Sequence, residues 1–299
     1  MNPAAWSPWT PLGVSQTVRV LAETLDGGQA FRWQFDANGT WTGQWADQVA
    51  QLRSEPDGAL VGRVPAGSTN GLTALRAYLR LDTDFAALAD QLPWRTDAHL
   101  AACLTAFPGL RLPRQPFGET LLCFLCSATK QIVQIKQMVA LLAEKHGAPL
   151  PHADIGRPRL PTWAEIEHIP EAALRGCLLG FRARYIKGTA AYLAARPGWL
   201  EETEHLSYQE AKARLMDLPG VGEKVADCVL LFGAGQLAAF PVDTWILKAL
   251  ARRYGLTGWT PAQVAQFGRA HFGNLAGLAQ QYLFAYERQQ ARPTTGRAD

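Results

Sequence analysis

Leu218–Cys228 reads "LPGVGEKVADC", and the fold is decided there. Gly220 and Gly222 permit backbone conformations that a β-carbon would obstruct, so they close a very tight turn. On either side, "SYQEAKARLMD" and "EKVADCVLLF" repeat apolar residues three and four apart. The stretch is therefore the joint of a helix–hairpin–helix spanning about residues 207–234. Such a joint leaves amide N–H groups uncovered where its second helix begins, around Gly220, Gly222 and Val225. Accessible amides at a helix N-terminus form a ready phosphate site. They read no sequence, so the grip would be on the phosphates of a nucleic-acid strand. A helical joint with glycine for packing reasons is the plainer alternative, and the stretch alone leaves both open.

Lys224 stands beside that grip. Lysines on helices are by default solvated, and an ordinary one with a pKa near 10.4 has ~0.1% or less free amine at neutral pH. Desolvation or a nearby cation turns such a group into a nucleophile. Placed next to a held strand, it would come within reach of a sugar carbon. Asp243, in "FPVDTWILKALARRYG", precedes a helical run and reads as an N-cap. A capping carboxylate is fixed by helix amides and still offers its other oxygen to a developing positive charge. The separation 243 − 224 = 19 leaves room for a helix, a turn and a return to the same edge.

Working outward, residues up to about 75 read as β-structure. Runs rich in Phe, Trp and Val in "FRWQFDANGTWTGQWADQVAQLRSEPDGALVGRV" are broken by the turn sequences "DANG" and "EPDG". From about Thr73 the spacing becomes helical. "FGETLLCFLCSATKQIVQIKQMVALLAEKHG" is one long helix or two, and "GAPLPHADIGRPRLP" is an exposed loop. The expected architecture is α+β: an antiparallel β domain over 1–75, a larger helical domain over 76–287, and a frayed tail over 288–299.

Composition narrows the class without naming a partner. At 299 residues, with 48% hydrophobic and 18% charged, the chain can bury a sizeable core. A net charge of +3 is too mild to indicate nucleic acid by itself. Five cysteines, an odd and sparse set, fit reduced thiols in an intracellular protein. No signal peptide or membrane span is evident, so the expectation is a soluble, intracellular monomer. "CFLC" (Cys123, Cys126) has C-x-x-C spacing but no second pair and no βαβ setting. It reads as an apolar helix face, and neither a metal nor a cofactor is expected.

"LPGVGEKVADC" followed by "PVD" resembles the helix–hairpin–helix DNA glycosylase superfamily. "GGQAFRW", "WTGQWADQV", "LRLPRQ", "GFRARY" and "LAQQYLF" are similar, in the same order, to the 8-oxoguanine DNA glycosylases of the eukaryotic type. The resemblance runs from about Gly27 to Glu287. It implies a β domain packed on two helical subdomains with the active site between the latter, and duplex DNA containing oxidised guanine as partner. By the same resemblance, Lys224 attacks the sugar C1′ and forms a Schiff base that permits strand cleavage. Asp243 stabilises the oxocarbenium-like charge. Gly28 accepts, through its carbonyl, the N7 hydrogen that distinguishes 8-oxoguanine from guanine. Cys228 and Phe284 sandwich the base, and Gln280 meets its Watson–Crick edge. Taken singly, these four are a turn glycine, a buried thiol, a core ring and a solvated amide.

The chain also departs from that pattern. Thr129, Lys130 and Gln131 replace an Asn run that fills the hole left by the extruded base. Phe181 replaces a Tyr wedge, while Arg182 is retained as a contact to the opposite cytosine. The expectation is therefore relaxed selectivity for that partner base. Trp245 stands where the family has a His. Two other readings compete: an alkylated-base glycosylase of the same superfamily, which lacks the hairpin lysine, and a non-catalytic DNA-binding module, which needs neither Lys224 nor Asp243.

Overall fold

Alternating inward-facing residues between Thr10 and Arg63 build an antiparallel sheet of order β1-β5-β4-β3-β2. The computed structural model describes residues 6–150 and 157–291. The strands are β1 (Thr10–Ser15), β2 (Trp33–Phe35), β3 (Trp41–Trp45), β4 (Gln48–Ser54) and β5 (Ala59–Arg63). Register is fixed by the pairs Trp33↔Gly43, Trp41↔Leu52 and Gln51↔Arg63. The two expected turn sequences lie between strands as anticipated, "DANG" before β3 and "EPDG" before β5.

Residues 1–75 are nevertheless not all β. Helix α1 (Val18–Asp26) is capped by Thr17 and buries Val20, Leu21, Thr24 and Leu25. Its β-branched start gives it the local look of a strand. Helix α2 (Gly71–Tyr78) also belongs with the sheet: Leu75, Tyr78 and Leu79 share a core with Leu12, Trp33, Trp45 and Leu52. That core therefore reaches past residue 75. The Trp33 indole N–H donates to the Tyr78 hydroxyl at 3.0 Å, satisfying both buried groups.

A second core joins the remaining helices. In order these are α3 (Phe85–Asp90), α4 (Ala98–Ala106), α5 (Phe117–Leu125), α6 (Ile132–His146), α7 (Trp163–His168), α8 (Glu171–Leu174) and α9 (Arg182–Ala194). There follow α10 (Trp199–Glu204), α11 (Tyr208–Met216), α12 (Glu223–Phe232), α13 (Thr244–Tyr254), α14 (Pro261–Phe272) and α15 (Ala276–Gln290). The long apolar stretch 117–146 is thus two helices, parted at Ser127–Gln131, where Thr129 takes φ +55°. Helix α15 continues through Arg288, Gln289 and Gln290, so the frayed tail does not begin at 288. Residues 292–299, and 151–156 of the expected loop, lie outside the described residues.

Two of the quoted motifs interlock and position the site. "LRLPRQ" (110–115) runs between the two cores, and its Gln115 side chain donates to the Gln29 carbonyl at 2.7 Å. Gln29 in turn donates to the Arg111 carbonyl at 3.2 Å. Arg114 Nε donates to the Gly233 carbonyl at 2.6 Å, bracing the end of α12. One connecting segment therefore fixes both the loop that carries Gly28 and the helix that carries Lys224.

Candidate active site

The hairpin forms as its sequence demands. Gly220 sits at φ +79°, and a methyl placed there would lie 2.6 Å from Tyr185 Cγ. Only glycine satisfies both conditions. Gly222, the N-cap of α12, has ordinary extended backbone and open space around it. Its missing side chain keeps the first amides of α12 accessible, while Val225 is buried, so it can offer an incoming strand no more than its N–H. One buried acid holds the two arms together from behind. Asp227, buried on α12, accepts from Tyr208 Oη at 2.7 Å and from Lys212 Nζ at 3.1 Å, both on α11.

Lys224 is half-buried, not solvated. Its Nζ donates to Ser127 Oγ at 2.9 Å and stands 5.1 Å from the centre of the Phe124 ring. Ser127 Oγ gives its own proton to the Phe124 carbonyl at 2.7 Å, so toward the lysine it acts as acceptor. One turn along, Cys228 is 4% exposed. Burial pushes its thiol up to about 12, partly offset by the Lys224 ammonium, so it is a neutral apolar surface and not a nucleophile.

Asp243 caps α13, accepting from the Ile246 N–H at 2.9 Å, as the sequence suggested. Burial raises its carboxyl above the ordinary aspartate range; the Ile246 amide and the Lys224 charge pull the other way. The lysine and the aspartate thus feel each other's charge. Gln280 lies behind them, 3% exposed, donating to the Pro241 carbonyl at 3.1 Å and accepting from Gln281 at 2.5 Å. It is not a solvated amide; it steadies the chain two residues before Asp243.

Gly28 and Phe284 also meet. At φ +93°, a methyl on Gly28 would lie 3.0 Å from Ile132 Cδ1 and 3.7 Å from Phe284 Cε1. Phe284 is one turn beyond Gln280 on α15, and the Arg288 guanidinium lies 5.4 Å from its ring centre. Trp245, at the start of α13, is exposed.

The remaining expected residues form two facing loops. Thr129, Lys130 and Gln131 are exposed between α5 and α6. Opposite them, a kink after α8 at Cys177–Leu178 leaves Leu178 (φ +63°) and Phe181 in solvent, 53% and 47% exposed. Arg182 is held against the protein in this structure, which contains no DNA. It is 3% exposed and turned inward: Nη1 donates to the Leu179 carbonyl at 3.2 Å, and Nη2 to the Ala128 carbonyl and to Thr129 Oγ1. Ser127, Phe124, Ile132 and Asp227 escaped the sequence reading. Only Asp227 carried a signal, as an acid inside an apolar helix.

A glycine turn between two helices, a half-buried lysine and a capping aspartate place the fold in the helix–hairpin–helix class of DNA glycosylases. A profile of the 8-oxoguanine DNA glycosylase N-terminal domain matches residues 11–121. The chain is 32% identical to the N-glycosylase/DNA lyase OGG1 of Arabidopsis thaliana, over 93% of this chain and 80% of that protein. A Saccharomyces cerevisiae N-glycosylase/DNA lyase is 29% identical over 82% of this chain and 71% of its own. Among solved structures, a Clostridium acetobutylicum 8-oxoguanine glycosylase/lyase bound to duplex DNA superposes with a TM-score of 0.84. It is 31% identical, covering 90% of this chain and 92% of that one. The chain belongs to the 8-oxoguanine DNA glycosylase family. An Archaeoglobus fulgidus 3-methyladenine DNA glycosylase, 19% identical with a TM-score of 0.75, shares the fold alone.

Proposed function

We propose that the protein excises 8-oxoguanine from duplex DNA and then cleaves the abasic strand, with Lys224 as nucleophile and Asp243 as its charge partner. The damaged nucleotide leaves the stack, at a cost of a few kcal/mol, and enters the space bounded by Gly28, Cys228 and Phe284. The Gly28 carbonyl accepts the N7 hydrogen of the lesion, the contact that guanine cannot make. Lys224, as free amine, attacks C1′; the C1′–N9 bond breaks and its electron pair departs with the base. The amine sheds a proton, the sugar ring opens, and an imine joins C1′ to Nζ. Loss of the C2′ proton then expels the 3′ phosphate, and water releases the lysine. Asp243, ionised, offsets the positive charge on the sugar and the imine.

The observation that carries this reading is the placement of Lys224 Nζ, half-buried over Phe124 and acting on the Asp243 carboxyl, one residue beyond open helix amides. With no Asn run at 129–131, opposite-base selectivity is relaxed. A well-made bidentate base contact supplies ~1–3 kcal/mol of discrimination; here, rates on the four partner bases should differ by less than about fivefold.

Single-turnover assays on a duplex with one 8-oxoguanine test the proposal. The native protein should release free 8-oxoguanine and nick the strand, and Asp243→Asn should slow release by about 10²–10³-fold. Release of an alkylated purine without nicking would favour the alkylated-base reading instead. The action places the protein wherever the cell keeps its DNA. No helix among the described residues is long and apolar enough to cross a membrane.

A further inference from the structure

We infer that Leu178 is a wedge: it enters the base stack of bound duplex beside Phe181 and holds open the step from which the lesion leaves. The inference rests on the reading of the protein as a glycosylase that extrudes its base. A leucine here is doubly costly to the free protein. Its backbone sits at φ +63°, a region that bulky residues rarely occupy, and its side chain is exposed. Neither hydrophobic core includes it. Glycine would remove both costs, and the same loop uses glycine where it can: Gly180, two residues on, takes φ +56° with open space around it. Backbone strain of this kind clusters at sites that bind or react.

The loop also holds the side chain still. Cys177 and Leu179, on either side, are fully buried. Lys145 Nζ donates to the Gly176 carbonyl at 2.8 Å, and Arg182 Nη1 donates to the Leu179 carbonyl at 3.2 Å. Facing this loop are the exposed residues 129–131, and just before them Ser127 receives Lys224 Nζ. The gap between the two loops therefore opens beside the amine that must reach a deoxyribose, and exposed Lys130 brings positive charge to its rim. Duplex DNA is the occupant that suits such a gap. Apolar side chains such as leucine and phenylalanine enter base steps, unstack them and kink the helix. Neither group forms hydrogen bonds with base edges, so the wedge acts on extrusion and not on the choice of partner base.

The test compares the native protein with Leu178→Asn, which suits left-handed backbone but is polar, and Leu178→Met, which keeps an apolar reach. Single-turnover release of 8-oxoguanine is timed with each of the four bases opposite, and with an abasic analogue opposite, where no pair has to break. Unstacking is followed separately through the emission of 2-aminopurine in the partner strand, next to the base facing the lesion. The wedge predicts release slowed about tenfold or more in Leu178→Asn, by the same factor for all four partners. Opposite the abasic analogue the loss should be less than about threefold. The rise in emission on binding should shrink in step, and Leu178→Met should stay within about threefold of the native rate. Relief of strain should meanwhile raise the thermal midpoint of Leu178→Asn by about 2 °C, so that activity falls as stability grows. Native rates and emission in Leu178→Asn overturn the inference, as does a loss confined to one partner base; both leave the enzyme intact. A lowered midpoint with an equal loss opposite the abasic analogue would assign Leu178 to the fold and overturns it as well. If the native protein releases no base, the glycosylase reading falls, while the emission still decides the wedge.

Discussion

Two turns serve the same ammonium, and they are built on opposite terms. Leu218–Glu223 places the backbone of Lys224, and its left-handed position is a glycine, Gly220, at φ +79°. Ser127–Gln131 places the oxygen that Nζ touches, and its left-handed position is a threonine, Thr129, at φ +55°. The first turn is at rest: the residue suits the conformation, and Tyr185 fills the space a side chain would need. The second is held in tension by Arg182. A relaxed turn needs only its own sequence, whereas a strained one needs a neighbour to keep it.

The contrast can be broken most heavily from behind the first turn. Asp227→Ala leaves the half-buried Lys212 with only the more exposed Glu223 carboxylate, at 3.6 Å, and should cost about 3 kcal/mol, the low end for breaking a buried pair. Urea unfolding should show that loss, with Lys224 trapping reduced in the folded fraction. Next comes Gly220→Ala, expected to cost about 3 kcal/mol, since left-handed backbone is penalised by ~1–2 kcal/mol and crowding against Tyr185 by ~1–3. Repeating Gly220→Ala in a Tyr185→Ala background should recover the crowding part alone. An undiminished penalty there would mean that backbone conformation is the whole cost.

A pH profile tests the charge partner. Asp243 acts ionised, and burial raises its carboxyl, so excision should fall about tenfold per unit of acidification along a limb lying above 3.8, the ordinary aspartate value. The sign separates this from unfolding. A raised native value means the folded state binds that proton more tightly, so through this group acidification stabilises the fold, and the gain is lost as pH rises. A rate that stays level down to pH ~4 would contradict a raised carboxyl. The smallest effect belongs to the second turn: Thr129→Asn, which suits left-handed backbone, should stabilise the protein by ~1 kcal/mol. A loss of stability would show that Thr129 bears no strain.

The same contrast explains what the sequence made legible. Gly220, Gly222, Lys224 and Asp243 announce themselves because glycine marks a turn and an acid before an apolar run marks a cap. The interlocked "GGQAFRW" and "LRLPRQ" motifs could be quoted in order, though nothing in their letters said that Gln115 would hold Gln29. Ser127 and Thr129 carry no such mark; nothing in a β-branched residue's letter announces positive φ, which is why 117–146 could be read as one long helix or as two. Arg182 was picked out by resemblance alone, and nothing in "GFRARY" said that its guanidinium would bond the Ala128 carbonyl and Thr129. Helix α1 was lost for a related reason, since Val18 and Val20 resemble the strands around them.

The most direct test is to treat the protein with borohydride in the presence of an 8-oxoguanine duplex and map the adduct by peptide mass spectrometry. A single cross-linked peptide carrying the reduced deoxyribose on Lys224, absent from Lys224→Gln, is the predicted result. An adduct on any other residue, or strand cleavage that survives Lys224→Gln, would contradict the central role given to that amine.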